Sequence, residues 1–191
     1  MGGRVQPDRW DQLFEDLEAR AGEHEAADFD AEVAERARGE VGQVRLVDRL
    51  RGAIAHPVEV RVMHGVVLRG RLDAVGADWL LLAEEAGRAA LVPLTAVLSV
   101  AGLGAQSAAP GSEGRVGARL DLRYALRGLA RERNQVQVVL ADGSTVAGTI
   151  DRVGADFVEI AEHAQGEPRR AAAVRRVRTV PLGGLAAVRS W

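Results

Sequence analysis

One stretch of this chain is written twice. Val58 to Glu84 (VEVRVMHGVVLRGRLDAVGADWLLLAE) lies over Val136 to Glu162 (VQVVLADGSTVAGTIDRVGADFVEIAE) at one constant offset. Of the 27 paired positions, 11 are identical, and most of the others keep their apolar or polar character. An ungapped match of this length means a duplicated supersecondary unit, so any fold must hold the same element order twice. The match continues outside the block. Val92-Pro93-Leu94 recurs as Val180-Pro181-Leu182, and Leu50-Arg51-Gly52 recurs as Leu126-Arg127-Gly128. The second copy also carries an insertion of about ten residues, around Gly166 to Arg175, before its fourth strand.

Inside each copy the apolar period is two. Val58, Val60 and Val62 alternate with Glu59, Arg61 and Met63, and Leu68, Gly70 and Leu72 alternate with Arg69 and Arg71. His64-Gly65 and Gly76-Ala77-Asp78 read as turns. Short strands follow from Trp79, Ala89 and Val97. Leu80, Leu82, Val158 and Ile160 fall on one strand face and are expected in the core, with Trp79 and Phe157 on the opposite, half-exposed face. Five short strands with glycine turns predict a small barrel. Ahead of the repeat the period is helical. Trp10, Leu13, Phe14 and Leu17 recur at i, i+3, i+4, i+7, a second helix is expected from Glu23 to Ala37, and a third from Val41 to Ile54 stops before Pro57.

The expected fold class is therefore α+β: N-terminal helices followed by two tandem five-stranded small β-barrels, each preceded by a helix. The expected division is 1–38, an acidic helical segment; 39–101, a helix plus the first barrel; 102–114 (GLGAQSAAPGSEG), a flexible linker; and 115–191, a helix plus the second barrel with a basic loop insertion.

The order helix, strand, glycine turn, strand with Gly-x-Leu/Ile, apolar strand, strand, Pro-Leu turn and last strand resembles the Sm-like fold. The residues that carry it are Gly65, Gly70-Arg71-Leu72, Leu80 to Leu82 and Val97 to Val100, with Gly143, Gly148-Thr149-Ile150, Val158 to Ile160 and Leu185 to Val188. The Val-Pro-Leu ending also resembles the PRC barrel of ribosome-maturation factors, and an SH3-like barrel fits the same pattern. The Sm-like resemblance implies an RNA site, but the base-holding positions are Gly76-Ala77-Asp78 and Gly154-Ala155-Asp156, and the second RNA segment falls at Pro93-Leu94 and Pro181-Leu182. Those residues offer neither stacking nor cationic charge.

Charge is uneven. Residues 1–38 hold 11 acids and 5 arginines, 39–110 hold 7 and 7, and 111–191 hold 9 and 13, giving −6, 0 and +4, which sum to the net −2. An acidic head and a basic tail favour contact within or between chains, and they argue against a polycationic nucleic-acid binder. All 25 cationic side chains are arginine, the pattern that codon usage in a GC-rich bacterial genome produces. No cysteine is present, which removes disulfides, thiolate metal sites and a cysteine nucleophile and suits a reducing compartment. Met1 to Asp8 lacks the apolar run of a signal peptide, and no stretch reaches the roughly 18 apolar residues of a membrane span. A cytoplasmic protein without membrane contact is expected.

Enzyme signals are poor. His24, His56, His64 and His163 have no metal-ligand spacing and read as surface residues. No Gly-x-Ser-x-Gly elbow, Walker loop or HExxH is present. Asp78 and Asp156 recur once per copy in a turn, where a carboxylate caps backbone amides. No catalytic residue, cofactor, metal or small-molecule substrate is expected. Arginine spacing is sharper: Arg115, Arg119, Arg123, Arg127 and Arg131 recur every four residues, and Arg169, Arg170, Arg175, Arg176 and Arg178 crowd the insertion. The candidate nucleic-acid contacts are Arg119, Arg123, Arg127, Arg169, Arg170, Arg175 and Arg176. The candidate partner contacts are Trp10, Phe14, Trp79 and Phe157. The leading expectation is a non-enzymatic protein-interaction or oligomeric assembly module. The alternative is an RNA- or DNA-binding regulator working through the basic second half.

Overall fold

The computed structural model describes residues 41–109, 120–164 and 174–190. The amphipathic stretches expected before residue 38, with Trp10 and Phe14, lie outside them. From Arg45 onward the chain forms one compact unit.

Ten strands are present, five per repeat. The first repeat holds β1 (Pro57–Val62), β2 (Val67–Val75), β3 (Trp79–Ala83), β4 (Ala89–Pro93) and β5 (Val97–Ala101). The second holds β6 (Gln135–Leu140), β7 (Thr145–Val153), β8 (Phe157–Glu162), β9 (Arg176–Pro181) and β10 (Leu185–Ser190). Two short helices precede them, α1 (Leu46–Gly52) and α2 (Leu122–Glu132).

The expected two tandem five-stranded small β-barrels do not form. All ten strands form one antiparallel sheet in the order β5-β1-β2-β3-β4-β10-β6-β7-β8-β9. Neither half closes on itself, because β4 does not pair with β5, nor β9 with β10. A single 3-10 turn links β4 to β5, although they lie at opposite ends of their five-strand row, so the row bends sharply without sealing. The hydrogen-bonding edge that closure would need is taken instead by the other repeat: β4 pairs with β10. Edge backbone groups must find partners, and the sister repeat supplies them for β4 and β10.

This arrangement decides the core. Side chains alternate faces along a strand. On β4, Ala90 and Val92 join one apolar cluster, with Leu50, Val60, Leu72 and Leu82, while Leu91 joins a second, with Leu126, Ile150 and Ile160. On β10, Ala186 and Ala187 face the first cluster and Leu185 and Val188 the second. The two joining strands are therefore buried on both faces, which explains their unbroken apolar runs AALV and LAAV. A strand exposed on one side would alternate instead.

The helix before the first repeat is shorter than expected. α1 occupies only part of Val41–Ile54 and ends before Ala55, whose φ of 71° is left-handed. Buried Asp48 accepts hydrogen bonds from Arg45 at 3.1 Å and Arg51 at 3.4 Å. Residues 102–109, the described part of the expected linker, run over α1. Arg49 donates to the carbonyls of Gly104, Ala105 and Gln106, and Ala108 N–H donates to the Asp48 carbonyl at 2.9 Å. Gly52 permits that approach, since a Cβ there would meet the Gln106 carbonyl oxygen at 2.9 Å. Among the described residues no helix is long and apolar enough to cross a membrane.

Candidate interaction edges

The join between repeats shows what these strands do when partnered. Val188 sits opposite Leu91, Arg189 opposite Ala90, and Ser190 opposite Ala89. Arg189 reaches Glu84 at the end of β3 through two hydrogen bonds, of 3.0 and 2.5 Å, and the Glu84 side chain is only 5% exposed. A paired fork of this kind is directional as well as charged. The Gly76-Ala77-Asp78-Trp79 turn grips the start of α2. Asp78 accepts from Leu122 N–H at 2.7 Å, Ala77 N–H donates to the Leu120 carbonyl at 3.2 Å, and Trp79 Nε1–H donates to the same carbonyl at 2.8 Å. Beside this grip, Trp79, Leu81, Leu91, Ala125 and Leu129 line an apolar cavity of about 160 Å³.

At the two ends of the sheet, β5 and β9 each pair on one side only and have no strand on their outer edge among the described residues. β5 takes the place in the first repeat that β10 takes in the second: Val100 pairs with Val60 as Val188 pairs with Val138. Leu98 is 61% exposed, whereas its counterpart Ala186 is fully buried. β9 takes the place of β4. Its Val177 is 54% exposed, and Arg176 and Arg178 both bind Glu162, the counterpart of Glu84. Burial pushes the Glu162 carboxyl up, but the hydrogen bonds from Arg176 and Arg178 outweigh it and hold the group below the ordinary range. The turn Gly154-Ala155-Asp156-Phe157 repeats the grip motif. Among the described residues nothing is bonded to the Asp156 carboxylate, and Phe157 is half-buried.

The candidate arginines scatter. Arg119, Arg169 and Arg170 lie outside the described residues. Arg123 is held by Asp121, the residue that caps α2, and Arg176 by Glu162. Arg175 is exposed. Arg127 lies in an open groove of about 720 Å³ with Arg131, Arg133 and Arg152, the acid Asp151 and half-exposed Tyr124. Sequence reasoning had no means of joining Arg152 on β7 to the α2 arginines, since only their packing brings them together. His163, expected on the surface, is buried. Its Nε2 is 2.9 Å from the Thr149 hydroxyl and its Nδ1 3.1 Å from the Ala164 carbonyl. Among the described residues no three His, Asp or Glu side chains cluster to hold a metal.

Compared with protein-family models, curated proteins and solved structures, the chain gives no match.

Proposed function

We propose that the protein is a non-enzymatic interaction and assembly protein that engages partner chains by strand pairing along the outer sheet edges β5 and β9. One observation carries this reading: β5 is exposed where its repeat counterpart β10 is buried. An apolar strand edge exposed to water invites pairing with another chain, and natural sheets blunt such edges unless they are used. β9 is partly blunted by its arginines, whereas β5 (VLSVA) carries no charge at all. A cytoplasmic location suits a chain with no cysteine.

A second reading rests on the groove of Arg127, Arg131, Arg133 and Arg152 beside Tyr124. Several cations and one stacking ring suit a nucleic-acid backbone. Site-specific photocrosslinking separates the two. A photoreactive residue at Leu98 should trap protein, with little trapped from position 124. Adducts to nucleic acid at Tyr124, and none to protein at Leu98 or Val177, would overturn the first reading in favour of the second.

A further inference from the structure

We infer that the partner of these edges is a second copy of the chain, bound head to tail, with β9 of one copy pairing with β5 of the next as β4 pairs with β10 inside each chain. The inference rests on the edge-pairing reading above and adds the identity of the occupant.

The internal join supplies the register. Replacing each of its residues by its repeat counterpart sets Val100 opposite Thr179, Ala101 opposite Arg178, and Gly102 opposite Val177. The substitutions between the two sets are complementary. Inside the chain an arginine on the last strand (Arg189) faces an alanine on the fourth (Ala90), and it serves the carboxylate of Glu84. At the outer edges the arginine has changed sides. Arg178 on β9 serves Glu162, and the opposing position on β5 is the alanine, Ala101. Each pairing thus sets one arginine opposite one alanine across the two strands. Two arginines opposed would repel.

Other exposed surface matches the same operation. Leu46 on α1 is 47% exposed, while its counterpart Leu122 on α2 is buried under the first repeat's Asp78 turn. The matching turn of the second repeat, with Asp156 and Phe157, has no α-helical segment bonded to it among the described residues. A following copy brings its Leu46 to that turn and its exposed Leu98 against the β9 end. Three apolar side chains exposed in the single chain, Leu46, Leu98 and Val177, fall in the region of contact. An interface joining two different surfaces is heterologous: it closes as a ring or runs on as a filament, according to the rotation between copies.

Sedimentation velocity on the full chain tests this. The wild type should rise above monomer mass as concentration increases. Val100→Pro removes a ladder donor from β5 and Thr179→Pro one from β9. Each variant alone should remain monomeric. An equimolar mixture should form a one-to-one dimer and nothing larger, because each keeps the edge the other lacks. Leu98→Lys and Val177→Lys, at side chains already exposed, repeat the test if either proline variant loses its circular-dichroism spectrum. Since the chain has no cysteine, Val100→Cys mixed with Thr179→Cys under mild oxidation should give a disulfide-linked dimer. A wild type that stays monomeric at all concentrations, or single variants that assemble unmixed, would overturn the inference. In the first case protein still trapped at Leu98 would leave the edge-pairing function standing with a different partner, and no trapping would remove both.

Discussion

Strands β5 and β10 hold the same place in the two repeats, yet β10 is buried along most of its length and β5 is half bare. Their pairing to the first strand of their own repeat is equivalent. The difference lies on the other side: β10 has β4 beside it, and β5 has no strand among the described residues. Composition follows that difference. Leu185, Ala186, Ala187 and Val188 suit burial on two faces, while Ser99 breaks the apolar run of β5. A duplicated unit thus diverges according to which of its edges became internal.

The largest effects should come from the shared core. Leu50→Ala and Leu126→Ala, counterparts that are each fully buried, should each destabilise by about 3 kcal/mol. Because β4 and β10 face both clusters, either change should move a single denaturation transition followed by tryptophan fluorescence and circular dichroism together. Two separated transitions would mean the halves are independent domains.

A smaller contrast concerns the paired arginines. Removing Arg189 leaves the carboxylate of Glu84 buried and unpaired, and Arg189→Ala should cost about 2 kcal/mol in urea titration. Arg178→Ala leaves Glu162 with Arg176 and should cost at most about 0.5 kcal/mol. Equal losses would erase the distinction between inner and outer edges.

The two turns give a third contrast. Asp78→Ala should lose about 1 kcal/mol with the amide it caps, whereas Asp156→Ala should stay within about 0.5 kcal/mol in the monomer.

The smallest effect is that of pH. Glu162 has its folded pKa held below its ordinary value of 4.5, so the folded state binds its proton less readily than the unfolded chain. Its stabilisation is present above 4.5 and is lost as the pH falls through the lower folded value. Asp48, lowered from 3.8 chiefly by its hydrogen bond from Arg45, behaves likewise at more acid pH. Glu162→Gln should flatten the upper part of the acid limb of thermal stability. An unchanged limb would mean Arg176 and Arg178 give Glu162 no net stabilisation.

Much of the local structure was legible from periodicity. The ladder Val58, Val60, Val62 and its copy Val136, Val138 lie in strands with those side chains inward. Leu80, Leu82, Val158 and Ile160 are buried as a period of two requires. The candidate site was barely legible. The repeat marks the position of Trp79, but its bond to the Leu120 carbonyl depends on a segment 41 residues away. The Glu84–Arg189 pair spans 105 residues, and no spacing rule reaches that far.

The sequence by itself determined that there are two copies of one strand-rich unit, where their strands run and which faces turn inward, because alternation and turn chemistry act over a few residues. Only the tertiary structure decided whether each unit closes on itself or opens to its sister. Closure would pair β4 with β5 and β9 with β10, whereas the open form pairs β4 with β10 and leaves β5 and β9 at the ends, so the choice rests on side chains distant in sequence. Leu91 against Val188, Arg189 with Glu84, and Trp79 over the start of α2 hold β4 to β10, and the remaining two edges are left at the ends of the sheet.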